Sequence, residues 1–308
     1  MPHRALLAAL LAAVLLGSRA GQAEPAAAIA SADQVMPYVL DNTEVRPIRS
    51  AILQRDYQLF VSLPDGYREG TRSYPVLFLT DANYAFPLVR SIVRRVRDDG
   101  KALEDCIVIG LSYARGETPG YSRRRDYTPT VREQLDPAPG GPYRYGEAEA
   151  YRRFIAEEVF PWVASHYRAD LQRAIYAGHS YGGLLGVHIL LTEPRMFSHY
   201  ILSSPSLWYD NKVMFKRLES YLASQPDLPA KVLMPIGAFE TVRPESDNPR
   251  YHKEHDMVRD LLRFEQRLQE RAYPGLEIRA LVLDDEDHLT VFPASITRGL
   301  LWALAPKK

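Results

Sequence analysis

A single cysteine, Cys106, rules out a disulfide within the chain, so stability has to come from a packed core. Cys106 sits in the apolar run 106–111 and reads as a buried core residue. Charge of one sign is missing too. Lys plus Arg and Asp plus Glu each number 38, and without net charge there is no general attraction for nucleic acid or an anionic membrane. The apolar run at 5–17 falls short of the roughly 20 residues that a helical span needs, so no membrane span is expected. Internal repeats and a second-domain boundary are also lacking.

The chain has 308 residues, 46% of them hydrophobic and 25% charged, which suffices for one large core. Pro2-His3-Arg4 forms a short basic region ahead of the apolar run, and small residues lead to cleavage points at Ala20 or Ala23. Residues 1–23 therefore read as an export signal, and no cysteine follows it to carry a lipid anchor. The expected location is periplasmic or secreted. Residues 24–44 read as a mobile N-terminal segment, and 45–308 as a single domain.

Along that domain, 48–53 and 57–63 alternate like a β-hairpin, and 74–79 and 106–113 are apolar runs of strand length. Helical spacing appears at 86–96 and 148–165, with a long Arg-, Tyr-, Pro- and Gly-rich connection over 114–145. Further strands are expected at 173–177, 199–203, 231–236 and 277–283, and helices at 184–191, 212–223, 256–271 and 294–304. Strands alternating with helices predict an α/β fold with a mostly parallel central sheet covered on both faces. Ligands of such sheets bind beyond the carboxyl ends of the strands, so the polar residues after each strand are the ones to inspect.

The most informative of these strand ends is Gly178-His179-Ser180-Tyr181-Gly182, between an apolar strand and a small-residue helix start. A sharp strand-to-helix turn lifts the serine oxygen out of the sheet, and flanking glycines leave room for the crowded backbone. The amide of Tyr181 then begins a helix, where it can stabilise a developing oxyanion. A serine hydroxyl is a weak nucleophile until a base takes its proton. Partners of a serine in such a turn follow it in the order acid, then histidine.

Five of the eight histidines lie after Ser180: His188, His199, His252, His255 and His288. His188 falls within the helix after the turn, and only His288 follows a C-terminal strand at the right edge, which makes it the candidate base. Glu240 follows the preceding strand and is the candidate orienting acid. One of Asp284, Asp285 and Asp287 could take that part instead, or a Ser-His pair could act without an acid. The chemistry calls for no cofactor and no metal. His252-x-x-His255 has helical spacing but no third ligand in sequence, and reads as surface.

Thr80-Asp81-Ala82-Asn83, Arg125-Asp126-Tyr127-Thr128-Pro129-Thr130, Phe154-Ile155 with Glu157 and Pro161, Gly178–Gly183, Ser204-Pro205-Ser206 and Asp287-His288 together resemble the esterase-D-like branch of the α/β-hydrolases. By pattern the chain is similar to bacterial periplasmic esterases of catecholate siderophores, of the enterobactin-hydrolase type, over roughly residues 45–305. The resemblance implies ester hydrolysis through an acyl-enzyme, with an oxyanion hole formed by the backbone amides of Ala82 and Tyr181. The implied partner is a small-molecule ester such as a ferric siderophore, with a general carboxylesterase or an acyltransferase as the rival readings. Runs such as Arg123-Arg124-Arg125 usually form a solvated face. At an active-site edge, however, Arg123 could hold an anionic ferric catecholate, and Trp208 could stack on a catechol ring.

Overall fold

The computed structural model describes residues 35–97, 102–131 and 143–306. The expected signal (1–23), most of the segment read as mobile, and residues 132–142 of the long connection lie outside the described residues. By its contacts the chain divides into Met1–Val39 and Leu40–Lys308. Of the first unit, residues 35–39 are described and contain no helix or strand. The second carries the fold.

Eight strands form one sheet in the order β1-β2-β4-β3-β5-β6-β7-β8. They are β1 (Thr43–Ser50), β2 (Arg55–Ser62), β3 (Tyr74–Leu79), β4 (Ile107–Leu111), β5 (Ala169–His179), β6 (His199–Ser203), β7 (Ala230–Gly237) and β8 (Leu276–Leu283). β1 and β2 pair antiparallel, β2 joins β4 antiparallel, and β3 to β8 run parallel. This is the expected α/β architecture. The start differs: β1 opens at Thr43, inside the segment read as mobile, because every residue from Thr43 to Ser50 is registered against β2. Exposed Val45, Arg46 and Pro47, three in a row on this edge strand, hide the alternation from the sequence.

The central strands are apolar on both faces, and their alternation builds two cores. Val76 and Phe78 of β3, with Ala174 and Tyr176 of β5, join one core. That core is covered by α3 (Ala148–Arg153), α4 (Phe160–His166), α5 (Tyr181–Leu190), α6 (Tyr209–Ser224) and α7 (Met257–Arg271). Leu77, Leu79, Ile175 and Ala177 face the other, under α1 (Ala82–Val96) and α8 (Val291–Ala303). Cys106 lies in this second core, where burial pushes its thiol up to about 12 and leaves it unreactive.

Two departures from the expected elements bear on the site. The helix expected over 148–165 contains a π-helical stretch at Phe154–Val159. There Glu158 turns its carboxylate onto the amides of Ala51 and Ile52 at the β1–β2 turn. The long connection also holds a helix, α2 (Pro119–Tyr127), capped by the Thr118 hydroxyl on the Tyr121 N–H at 3.2 Å with Pro119 at its first position. It has no apolar stripe, so its sequence shows no helical period. Its arginines do not form the solvated face expected of them. Arg125 is buried against Asp126 and Glu117, while Asp126 also accepts from Tyr57, Ser122 and Arg55.

Buried histidines give the fold an acid-side sensitivity. Burial, then Lys231, lowers His199 to about 4, and burial also lowers His179 and His188, the latter in spite of its bond to Glu149. A histidine in an unfolded chain titrates near about 6.5. The unfolded chain therefore binds the proton first, and the stability these groups contribute is complete above about pH 6.5 and declines as pH falls below it, for His199 down to about 4. The melting temperature measured by calorimetry should drop across that window, less steeply in His199→Asn. A melting temperature that rose on acidification would contradict this.

Candidate active site

The turn at Ser180 shows why its neighbours are glycines. Ser180 has φ 58° and ψ −116°, between the end of β5 and the first residue of α5. This is a region that residues with a side chain occupy at a cost of order 1–3 kcal/mol. A Cβ on Gly182 would run into the Thr80 hydroxyl, and one on Gly178 into the Gly182 backbone. The turn is stitched to β6 by Ser180 N–H to Ser203 O at 3.0 Å, and Ser206 N–H donates back to Ser180 O at 3.2 Å. The Ser180 hydroxyl is half-buried and makes a long contact, 3.4 Å, with the Ser206 hydroxyl.

Glu240 and His288 meet directly. Glu240 closes a short 3₁₀ turn after β7, and His288 lies in the loop between β8 and α8. His288 Nδ1 is 2.7 Å from Glu240 Oε2. The other carboxylate oxygen accepts from the Ser204 hydroxyl at 2.6 Å and the Gly237 N–H at 2.9 Å. With its side chain 1% exposed and fully engaged, Glu240 is fixed in direction. A proton on Nδ1 donated to this carboxylate leaves the lone pair on Nε2. The His288 ring packs 4.6 Å from that of His179, the residue before Ser180, and so is brought up to the serine turn. His179 itself is held neutral by burial, with the His288 and Arg123 charges adding to the effect, and bonds to the Ser203 hydroxyl.

Of the aspartates weighed as alternatives, Asp284 and Asp285 are exposed, and Asp287 is engaged elsewhere. Asp287 bonds to Arg250 at 2.7 Å and to the amides of Leu289 and Thr290, which outweigh the cost of its burial and hold it below the usual carboxylate range. It shapes the loop that presents His288.

Ala82 and Tyr181 are the first residues of α1 and α5. First-turn amides of a helix point out past its end, where they serve an anion. Asp81, ahead of Ala82, takes a left-handed conformation, φ 55°.

A cavity of about 740 Å³ opens beside the serine turn. Tyr143, Tyr145, Tyr181 and Trp208 line it, with Arg124 on the wall; Lys212 is paired with Asp260 at 2.6 Å, and Asp210 and Glu254 also line the cavity. Trp208 stands on its wall and stacks on His255 at 4.4 Å, the two rings nearly parallel. Two sequence expectations change here. His252 and His255, read as surface, are half-buried on the cavity wall, because the segment folds back so that His252 N–H bonds to Phe239 O. Arg123, expected to face the ligand, turns its fork onto Asp81, with bonds of 3.0 and 3.1 Å, and Arg124 takes the cavity wall instead. Residues 210–212 on the wall are all left-handed, which moves the regular part of α6 back from the rim. Ser204, Ser206 and His179, named in the sequence only within motifs and given no role there, pack against Glu240, Ser180 and His288. Besides the motifs, their signal is position, at strand ends next to the serine turn. Among the described residues, no cluster of three or more candidate metal ligands is present, and no helix is long and apolar enough to cross a membrane.

The model of the esterase family matches residues 50–275. The chain is 30% identical to the ferri-bacillibactin esterase of Bacillus subtilis over 278 residues, 87% of this chain and 92% of that protein. It is 26% identical to the siderophore triacetylfusarinine C esterase of Aspergillus fumigatus over 292 residues, 87% of this chain and 95% of the relative. Among solved structures, the BES protein from Bacillus cereus superposes with a TM-score of 0.72 at 26% identity, over 88% of this chain and 99% of the other.

Proposed function

The chain belongs to the esterase family, with an α/β-hydrolase fold and hydrolysis of ester bonds as its activity, and from that premise we propose that it hydrolyses a catecholate siderophore ester through an acyl-enzyme on Ser180. His288 takes the Ser180 proton, and the oxygen attacks the ester carbonyl. The amides of Ala82 and Tyr181 hold the resulting oxyanion. The imidazolium then protonates the departing alkoxide as the C–O bond breaks. A water molecule, deprotonated by the same ring, releases the acid and regenerates the serine. Glu240 keeps His288 in the useful tautomer and offsets its charge.

The observation that carries this reading is a strained serine at a helix start, next in sequence to a histidine ring against which His288 packs, with the Nδ1 of His288 fixed by a buried carboxylate. The substrate class rests on the relatives, which are named for siderophore esters. It is supported by a cavity whose tyrosines and Trp208 suit flat aromatic arms, with Arg124 on its wall for their negative charge. The basic and apolar start of the sequence supports export, so the proposed place of action is the periplasm. Incubation of the purified protein with ferric enterobactin and with p-nitrophenyl butyrate tests the substrate class. We expect kcat/KM to favour the ferric catecholate by at least about 100-fold, since occupied aromatic and charged subsites contribute several kcal/mol to the transition state. Equal or better turnover of the short ester would reduce the reading to a general carboxylesterase.

A further inference from the structure

The three arginines of α2 divide their work. Arg125 is held by Asp126 and Glu117 inside the scaffold, and Arg124 stands on the cavity wall over the Tyr143 ring. Arg123 touches both elements that carry the oxyanion amides. Its fork meets the Asp81 carboxylate at 3.0 and 3.1 Å, directly before Ala82, and its guanidinium carbon lies 5.3 Å over the ring of Tyr181.

Asp81 is tied in from every side. Its side chain is 2% exposed, it accepts the Tyr113 hydroxyl at 2.7 Å, and its own N–H lies 3.3 Å from the Tyr127 hydroxyl. The next turn is held as well, by Tyr113 N–H on Asn83 Oδ1 at 2.9 Å. A bidentate guanidinium–carboxylate pair fixes direction as well as distance. The electrostatics make the pair necessary: a buried carboxylate one residue from an oxyanion donor opposes negative charge developing there, and its repulsion is strong where water is scarce.

We propose that Arg123 is a positioning residue that sets the spacing of the Ala82 and Tyr181 amides and neutralises Asp81 beside them, rather than a ligand for the substrate. The proposal rests on the acyl-enzyme reading given above. It assigns Arg123 an effect on the transition state that is blind to the charge of the substrate, because it acts through Asp81.

The test compares Arg123→Met, Arg123→Lys and the double variant Arg123→Met/Asp81→Asn on uncharged p-nitrophenyl butyrate and on ferric enterobactin, with circular dichroism to follow folding. Displacement of catalytic groups by about 1 Å can cost about 100-fold, so Arg123→Met should lose about that much kcat on both esters, with KM changed less than about twofold. The double variant, which removes the uncompensated charge, should recover about tenfold, and Arg123→Lys, which keeps charge without the fork, should fall about tenfold short of wild type on both. Arg123→Lys still decides the matter if Arg123→Met does not fold. A KM rise confined to ferric enterobactin with kcat retained would make Arg123 a substrate ligand and overturn the proposal, as would unchanged kcat on both esters or a double variant no better than the single. Ser180→Ala is the separate control. Turnover retained there defeats the acyl-enzyme reading, whereas its loss together with an unaffected Arg123→Met defeats only the role of Arg123.

Discussion

Ser180→Ala should abolish turnover, lowering kcat by about 10⁶-fold, as removal of the nucleophile does in well-studied serine hydrolases. Without Oγ there is no acyl-enzyme, and what remains is the binding of an ester next to oxyanion donors. The backbone of the turn should survive, because its bonds to Ser203 and Ser206 are main-chain bonds. Ser180→Gly asks a sharper question. Replacing a side chain by glycine usually destabilises a fold by about 0.5–1 kcal/mol. At φ 58° and ψ −116° the side chain itself carries the strain, so the glycine variant should be more stable than the alanine variant by about 1 kcal/mol in urea unfolding, and equally inactive. The opposite order of stability would mean that the turn is relaxed and that its geometry is not held against a cost.

Glu240→Gln should be nearly as damaging to kcat while leaving the protein folded. The Oε1 side of Glu240 receives two donors, the Ser204 hydroxyl and the Gly237 N–H, so the amide oxygen of a glutamine is drawn to that side. Its NH₂ group then faces His288 Nδ1, which has to become an acceptor. The ring proton moves to Nε2, and the ring can no longer take a proton from serine. The corresponding aspartate-to-asparagine change in a serine protease costs about 10⁴-fold in kcat. We expect a loss of similar size here, against less than about tenfold for Asp287→Asn, whose carboxylate is occupied by Arg250. Steady-state kinetics on the two purified variants decides it, and a Glu240→Gln enzyme near wild-type rate would leave Ser180 and His288 to act as a pair.

Local chemistry marked much of this in the sequence. The serine turn is legible because its conformation needs glycine on both sides, and the parallel sheet because strands buried on both faces become unbroken apolar runs such as Val76–Leu79. His288 and Glu240 were legible only through the rule that sites gather at strand ends, since nothing in their own neighbourhoods distinguishes them. What stayed hidden depends on partners distant in sequence. The direction of Arg123 is set by Asp81, and the place of His252 and His255 by a bond to Phe239. Helix α2 was missed because its polar surface pairs with buried charge from β2 and from the start of α3, so its stabilising face shows no hydrophobic period.

The parallel half of the sheet also imposes an order in time. The serine turn follows β5, but the proposed acid follows β7 and the proposed base follows β8, the outermost strand of the parallel half. A chain emerging N-terminus first presents a serine with no base until that last strand has docked and α8 has closed over β6. On the proposed mechanism, hydrolysis is thereby withheld from every shorter intermediate, and a nascent chain is harmless to the esters around it. Activity switches on once, when the sheet is complete.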